Sequence, residues 1–177
     1  MKRIWLFLLC AGAGWACSSS KNPSPPVPVA GARSDIAALT GRWEGEYQSE
    51  ATGRSGSIVF ELKPGDRVAR GDVLMVPKGA LGSGDTAPPS RLPGATETLQ
   101  TMPQVLKISF VSASGDVLTG TMDPYQDPEC NCEVRTTFVG RRMGDTVEGT
   151  FTTTPSGSAP ITTGRWKITR KRSSDSR

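Results

Sequence analysis

Alternating apolar and polar residues, interrupted by Gly, Asp and Pro, run through the chain from Leu39 onward. Segment 57–62 is typical, because Ile58, Phe60 and Leu62 fall on one face and polar or smaller residues fall between them. A period of two predicts strands with one buried and one solvated face, and no segment shows a convincing helical period. The pattern predicts eight strands, at residues 42–49, 55–63, 69–76, 104–112, 116–122, 133–141, 146–153 and 162–171.

Strands of this kind form antiparallel sheets, whose edges must be hidden by closure or by stacking. We therefore predict one all-β domain at residues 38–172, a single antiparallel meander of about eight strands. A closed barrel is the preferred architecture, and a β-sandwich is the alternative.

One sequence pattern occurs twice, at 115–122 and at 144–151. Each copy opens with Gly-Asp, which favours a tight turn, and continues with alternating apolar residues. Each also carries a glycine inside its strand, Gly120 or Gly149, which we expect to mark a bend or bulge in a curved sheet. The repeat supports hairpins as the building unit of the domain.

The regions outside the strands differ from them in composition. Residues 17–37 contain Pro23, Pro25, Pro26 and Pro28 among small and polar residues, which predicts a semi-extended linker without a buried core. The connection 78–102 is rich in Gly, Pro and Ser, so we expect disorder there, with a functional lid as the alternative. Residues 173–177 are expected to form a disordered tail.

The N-terminus has the features of an export signal. Lys2 and Arg3 precede an apolar run, 4–9, that is too short to span a bilayer. Residues 1–16 are therefore predicted to be a signal peptide. The end of this segment, Gly-Trp-Ala-Cys at 14–17, resembles the lipobox of bacterial lipoproteins.

This resemblance implies that Cys17 is diacylated and becomes the mature N-terminus, so that lipid chains hold the protein on a membrane. Ser18 follows Cys17 in place of an aspartate. In proteobacterial lipoproteins that favours the outer membrane, so the implied location is the cell envelope. Secretion after ordinary cleavage near Ala13 is the alternative.

The motif Gly-Arg-Trp occurs near the start of the domain, at 41–43, and again in the last predicted strand, at 164–166. A first strand that opens with Gly-x-Trp, and a last strand that brings a cation over that indole, resemble the calycins, the group of lipocalins, fatty-acid-binding proteins and avidins. The resemblance implies that the barrel is closed by Gly41, Trp43, Arg165 and Trp166, with Arg170 or Lys171 as other candidates for the cation. We predict that the domain is a binding or scaffolding module, with a carrier of a small apolar ligand in the barrel interior as the alternative.

Composition narrows the function further. The chain contains no histidine, which excludes Ser-His-Asp and Cys-His catalysis in their usual forms and removes the commonest nitrogen ligand for metals. A formal net charge of +4 over 177 residues and an aromatic content of 6% argue against nucleic-acid binding. We therefore predict a protein without enzymatic activity or cofactor, with an uncharacterised hydrolase as the enzymatic alternative.

The segment 123–133 gathers four acidic residues and two cysteines between two predicted strands. Cys130 and Cys132 are interpreted as a disulfide formed in an oxidising compartment. Two other interpretations stay open. One is a metal site in which Asp123, Asp127 or Glu129 joins the two thiolates, and the other is a labile, redox-active bridge.

Overall fold

The computed structural model describes residues 24–76 and 103–172. The predicted signal peptide, Cys17, the connection 78–102 and the tail 173–177 lie outside these ranges. Within them, the chain has no helix with the length and apolar character needed to cross a bilayer.

Ten strands and one short helix make up the described part of the chain. They are β1 (Pro26–Gly31), α1 (Arg33–Ala37), β2 (Gly41–Ser49), β3 (Arg54–Leu62), β4 (Val68–Val76), β5 (Gln104–Ser114), β6 (Val117–Met122), β7 (Tyr125–Asp127), β8 (Cys132–Met143), β9 (Thr146–Pro155) and β10 (Thr162–Lys171). All eight predicted strands are present, and their ends differ from the prediction by at most two residues.

Nine of the strands form a closed ring. Their order is β6-β5-β1-β4-β3-β2-β10-β9-β8, and pairing of β6 with β8 closes it. β7 pairs only with β8, beyond the end of β6. The predicted all-β closed barrel is confirmed, whereas the antiparallel meander is modified, because β1 pairs with β5 in parallel.

The prediction that residues 17–37 form a linker without a core is wrong for residues 26–37. β1 enters the barrel as a wedge between β4 and β5, which pair directly only at Asp72–Met75 and Gln104–Lys107. Val27 and Val29 of β1, and Ile36 of α1, are buried in the core. The folded domain therefore begins well before residue 38.

Pro26 and Pro28, which suggested a linker, lie where they interrupt no hydrogen bonds between strands. The backbone N–H of Val29 donates to the Arg67 carbonyl oxygen on the β4 side. Because successive N–H groups of a strand point in opposite directions, the position of Pro28 would direct an N–H away from β4. On that opposite side, β1 first pairs with β5 at Val29. The missing N–H donors of Pro26 and Pro28 therefore cost no hydrogen bond to the sheet.

Both copies of the repeated pattern form the predicted two-residue turns, with Gly115 and Gly144 at φ of +58° and +62°. The aspartate after each glycine pairs with an arginine of the strand next to its own hairpin: Asp116 with Arg142 at 2.6 Å, and Asp145 with Arg170 at 3.1 Å. These turns lie at one end of the barrel with α1, and we call this end the base. The opposite end, which carries the β2–β3 and β9–β10 turns and β7, is called the mouth.

The glycines inside strands face aromatic rings, a different role from the predicted bend or bulge. Gly120 is opposite Phe138, and Gly149 is opposite Trp166. A Cβ at Gly120 would collide with the Phe138 ring, and one at Gly149 would lie 2.8 Å from the Trp166 indole nitrogen. The same arrangement pairs Gly56 with Tyr47. Each ring therefore lies along the barrel wall rather than across its centre.

Candidate functional site

The base of the barrel is closed by Trp43 and Arg170. Trp43 is 1% exposed, and its indole N–H donates to the Leu39 carbonyl oxygen at 2.8 Å. The guanidinium of Arg170 lies 4.4 Å from the centre of the Trp43 ring. It also donates to the carbonyl oxygens of Thr40 and Ala38, which join α1 to β2. The Arg170 guanidinium thus holds together the last strand, the Trp43 indole and the segment before β2.

Arg165, the cation named with Trp43 in the predicted closure, does not take that role. Trp166, Ile168 and Arg170 face inward along β10, so Arg165 lies on the outer face and is exposed. Of the other two candidates, Lys171 also faces outward and lies 3.6 Å from Glu44. The alternation of β10 therefore selects Arg170, five residues after Arg165 and on the opposite face.

The interior of the barrel toward the mouth is open. This lumen has a cavity volume of about 100 Å³. Its wall is mainly apolar and aromatic, with side chains from nearly every strand of the ring: Ile58, Phe60, Val73, Met75, Leu106, Ile108, Val111, Leu118, Met122, Phe138, Phe151, Trp166 and Ile168. Trp166, which the Gly-Arg-Trp motif placed at the closure, is thus part of the lumen wall. Trp43 lies below the lumen, in the base.

A buried ion pair lies at the mouth. Arg54 of β3 binds Asp127 of β7 through two hydrogen bonds of 2.5 and 2.6 Å, and both side chains are less than 10% exposed. Glu129 adds a second carboxylate at 3.3 Å from the guanidinium. Burial acts to raise the pKa of Asp127, but hydrogen bonds from Arg54 and from the Glu129 backbone outweigh it and hold that pKa below its usual range.

Three hydroxyls near the ion pair form a linear chain of hydrogen-bond contacts. Thr136 and Thr153 lie on the paired strands β8 and β9, with their hydroxyl oxygens 2.8 Å apart. The Tyr125 hydroxyl lies 3.2 Å from that of Thr136. On the other side of the mouth, the Ser49 hydroxyl donates to the Thr163 carbonyl oxygen at 2.9 Å. Each of these hydroxyls therefore has a hydrogen-bond partner within the protein.

Tyr47 differs from them. Its ring stacks edge-on against Phe151, with centroids 5.7 Å apart, and its hydroxyl oxygen is buried beside the lumen. That oxygen has no hydrogen-bond partner among the described residues. Burial raises the pKa of Tyr47 far above its ordinary value, so the phenol keeps its proton at physiological pH.

Cys130 and Cys132 form a disulfide that joins the turn before β8 to the first residue of β8, as the sequence suggested. Asn131 between them has φ of +49°, a left-handed conformation that turns the chain and brings the two Cα atoms to 5.1 Å. The metal interpretation is not supported in the described ranges, where no three His, Cys, Asp or Glu side chains gather as ligands. Asp127, one of its candidate ligands, is engaged with Arg54.

The predicted site residues missed two that matter at the mouth, Arg54 and Tyr47. The sequence did carry a signal for each. Counting back by two from Phe60 and Ile58 puts Arg54 on the apolar face of its strand, and counting forward by two from Trp43 puts Tyr47 inside as well. A charged or hydroxylated residue in register with an apolar face indicates a buried polar site.

Comparisons with known proteins add little to this geometry. No protein-family model matches the sequence, and no curated protein matches it with significance. Among solved structures, the crystal structure of rhizavidin is similar, with 12% identity, 76% of this chain and 86% of that chain covered, and a TM-score of 0.34. A likeness this distant carries no weight for the function of the lumen.

Proposed function

We propose that the barrel is a binding module that holds a small, mainly apolar ligand in its lumen. The observation that carries the proposal is the opening itself. The inward side chains of nine strands leave space that reaches the mouth, although protein interiors are normally filled. Concave apolar sites with a few fixed polar groups are the usual form of small-molecule sites.

The wall aromatics explain how the space stays open. Phe138, Trp166 and Tyr47 each lie over a glycine of the neighbouring strand, so the rings take the room of the missing side chains. A barrel built only for stability would gain dispersion contacts by filling this volume.

The test uses N-phenyl-1-naphthylamine, a neutral apolar fluorophore whose emission rises when it leaves water. We expect stoichiometric, saturable binding to the wild-type barrel. The variant Val73→Trp places an indole in the lumen and is expected to weaken binding at least tenfold, since Val73 lines the space. Binding that is absent from the wild type would refute the proposal.

The matched control is Leu74→Trp. Leu74 follows Val73 on β4 but faces outward and is 37% exposed. It therefore adds the same indole outside the barrel, and we expect unchanged binding. Circular dichroism and thermal melting establish that both variants fold, and the smaller substitution Val73→Phe serves if Val73→Trp does not.

We also propose that the module is exported and anchored by lipid at Cys17. The support is the sequence of residues 1–17, which has a positively charged start, a short apolar run and a cysteine at its end. Mass spectrometry of the mature protein from a bacterial envelope fraction should give a diacylated N-terminal cysteine. Cys17→Ser is expected to remove the lipid, whereas Cys10→Ser, inside the predicted signal, should leave it in place. An unprocessed chain in the cytoplasm would contradict the proposal.

The proposed role is non-catalytic. The chain has no histidine, and the lumen's charged group, Arg54, is neutralised by Asp127. Recovery of a chemically unchanged ligand after binding and denaturation tests this, because catalysis would alter the bound molecule.

A further inference from the structure

We infer that Tyr47 determines ligand specificity in the lumen, and that the ligand is a small neutral molecule, mostly apolar, with one oxygen that accepts a hydrogen bond. This inference rests on the proposed binding function. It names the chemistry that the lumen would recognise.

The first step is the state of the Tyr47 hydroxyl. The oxygen is buried and has no hydrogen-bond partner in the described chain. The Val76 backbone N–H is directed at this oxygen and acts to lower the phenol's pKa against the larger effect of burial, but an N–H group only donates. Within residues 24–76 and 103–172, the hydroxyl proton is therefore left without an acceptor. A buried donor without an acceptor is uncommon in folded proteins and calls for an explanation.

The second step is what surrounds the hydroxyl. Among the residues that the structure describes, the other buried side-chain atom of the lumen wall without a partner is Arg54 Nε, which is also a donor. Arg54 is close enough to Tyr47 for its charge to lower the phenol's pKa. By contrast, the hydroxyls of Thr136 and Thr153 lie within hydrogen-bond distance of each other. The lumen wall thus offers hydrogen-bond donors without an acceptor, and the ligand must supply that acceptor.

The third step is charge. Asp127 and Glu129 both contact the Arg54 guanidinium, so the mouth holds two carboxylates for one cation. An anionic ligand would meet this excess of negative charge and would lose its hydration inside an apolar wall. A carbonyl, ether or hydroxyl oxygen accepts from Tyr47 without either cost.

The test compares three naphthalenes of similar size as competitors of N-phenyl-1-naphthylamine. 2-Acetylnaphthalene carries a neutral acceptor, 2-isopropylnaphthalene replaces it by an apolar group, and 2-naphthoate makes it anionic. In wild-type protein we expect 2-naphthoate to bind at least tenfold more weakly than the ketone. The main quantity is the affinity ratio of ketone to isopropyl compound, measured in wild type and in Tyr47→Phe.

Tyr47→Phe keeps the ring and removes only the hydroxyl. We expect the ketone-to-isopropyl ratio to fall about tenfold in this variant, the size of one hydrogen bond. Differences in hydrophobicity between the two probes cancel, because the same pair is compared in both proteins. Tyr125→Phe is the matched control, since that hydroxyl already has Thr136 as a partner, and the ratio should not change.

The outcomes separate the two proposals. If the fluorophore binds Tyr47→Phe and the ratio stays at its wild-type value, Tyr47 does not recognise the ligand and the inference is wrong while the lumen still binds. If 2-naphthoate binds as tightly as the ketone, the neutral class is wrong. If no naphthalene and no fluorophore binds the wild type, the proposed function itself fails, and the inference with it.

Discussion

The mouth depends on the Arg54–Asp127 pair. Two buried charges gain from each other, but they also lose hydration, so such a pair adds little net stability compared with apolar residues. Removing one partner is different, because the other charge stays buried and loses its closest counter-charge. Arg54 and Asp127 come from β3 and β7, 73 residues apart, so their pairing fixes the short strand β7 against the mouth.

Asp127→Asn should therefore destabilise the protein strongly. The variant keeps the shape of the side chain but leaves the Arg54 charge with Glu129 as its remaining partner. We expect a loss of about 3 kcal/mol in the free energy of unfolding, measured by urea titration. Glu148→Gln breaks the exposed pair with Lys167 and should cost less than about 1 kcal/mol. Equal losses in the two variants would contradict the buried role of Asp127.

The same pair predicts a dependence of stability on pH. The pKa of Asp127 is lower in the folded protein than its unfolded value of about 3.9, because Arg54 and the Glu129 amide outweigh the effect of burial. A depressed folded pKa contributes stability that is fully present above the unfolded pKa and is lost as pH falls through the folded pKa. Urea titrations between pH 6 and about pH 2 should show this acid loss in wild type. Asp127→Asn should show a flatter profile, and a profile as steep as that of wild type would assign the loss to other carboxyls.

Period-two alternation is sufficient to predict eight of the strands, because each has one apolar face in the barrel. β1 was missed for a physical reason. Its prolines suggest an extended linker, yet Pro26 and Pro28 sit on its exposed face and direct no donor at a partner strand. Composition alone cannot show that a neighbouring strand is absent at that point. The tertiary gap between β4 and β5, which β1 fills, is not encoded in local pattern.

Val27→Ala tests whether β1 belongs to the fold. Val27 is fully buried at its pairing with Ala69, so we expect a loss of about 2 kcal/mol in the free energy of unfolding. Pro28→Ala, on the exposed face of the same strand, should cost less than about 1 kcal/mol. A linker would tolerate both changes equally. That result in urea titrations would show that β1 is not part of the folded barrel.

Alternation along the strands shows which side chains point into the barrel but not whether they fill its interior. That depends on barrel radius, and on how each inward ring meets its neighbour. Phe138 and Trp166 lie over Gly120 and Gly149, contacts between strands that no single-strand pattern reveals. The base was more predictable, since the Gly-x-Trp motif indicated Trp43, whereas the choice of Arg170 over Arg165 required the register of β10.

A hollow barrel responds to added volume differently from a solid one. Val73 and Val147 are both buried β-branched residues, but Val73 lines the lumen and Val147, at 0% exposure, is not part of its wall. Val73→Ile adds one methylene into open space, so the free energy of unfolding should stay the same or rise by up to about 1 kcal/mol. Val147→Ile adds the same methylene to a filled region and should lose about 1–3 kcal/mol through overpacking. Thermal and urea unfolding of the two variants decide the matter, because a comparable loss for Val73→Ile would mean that the interior is filled and has no room for a ligand.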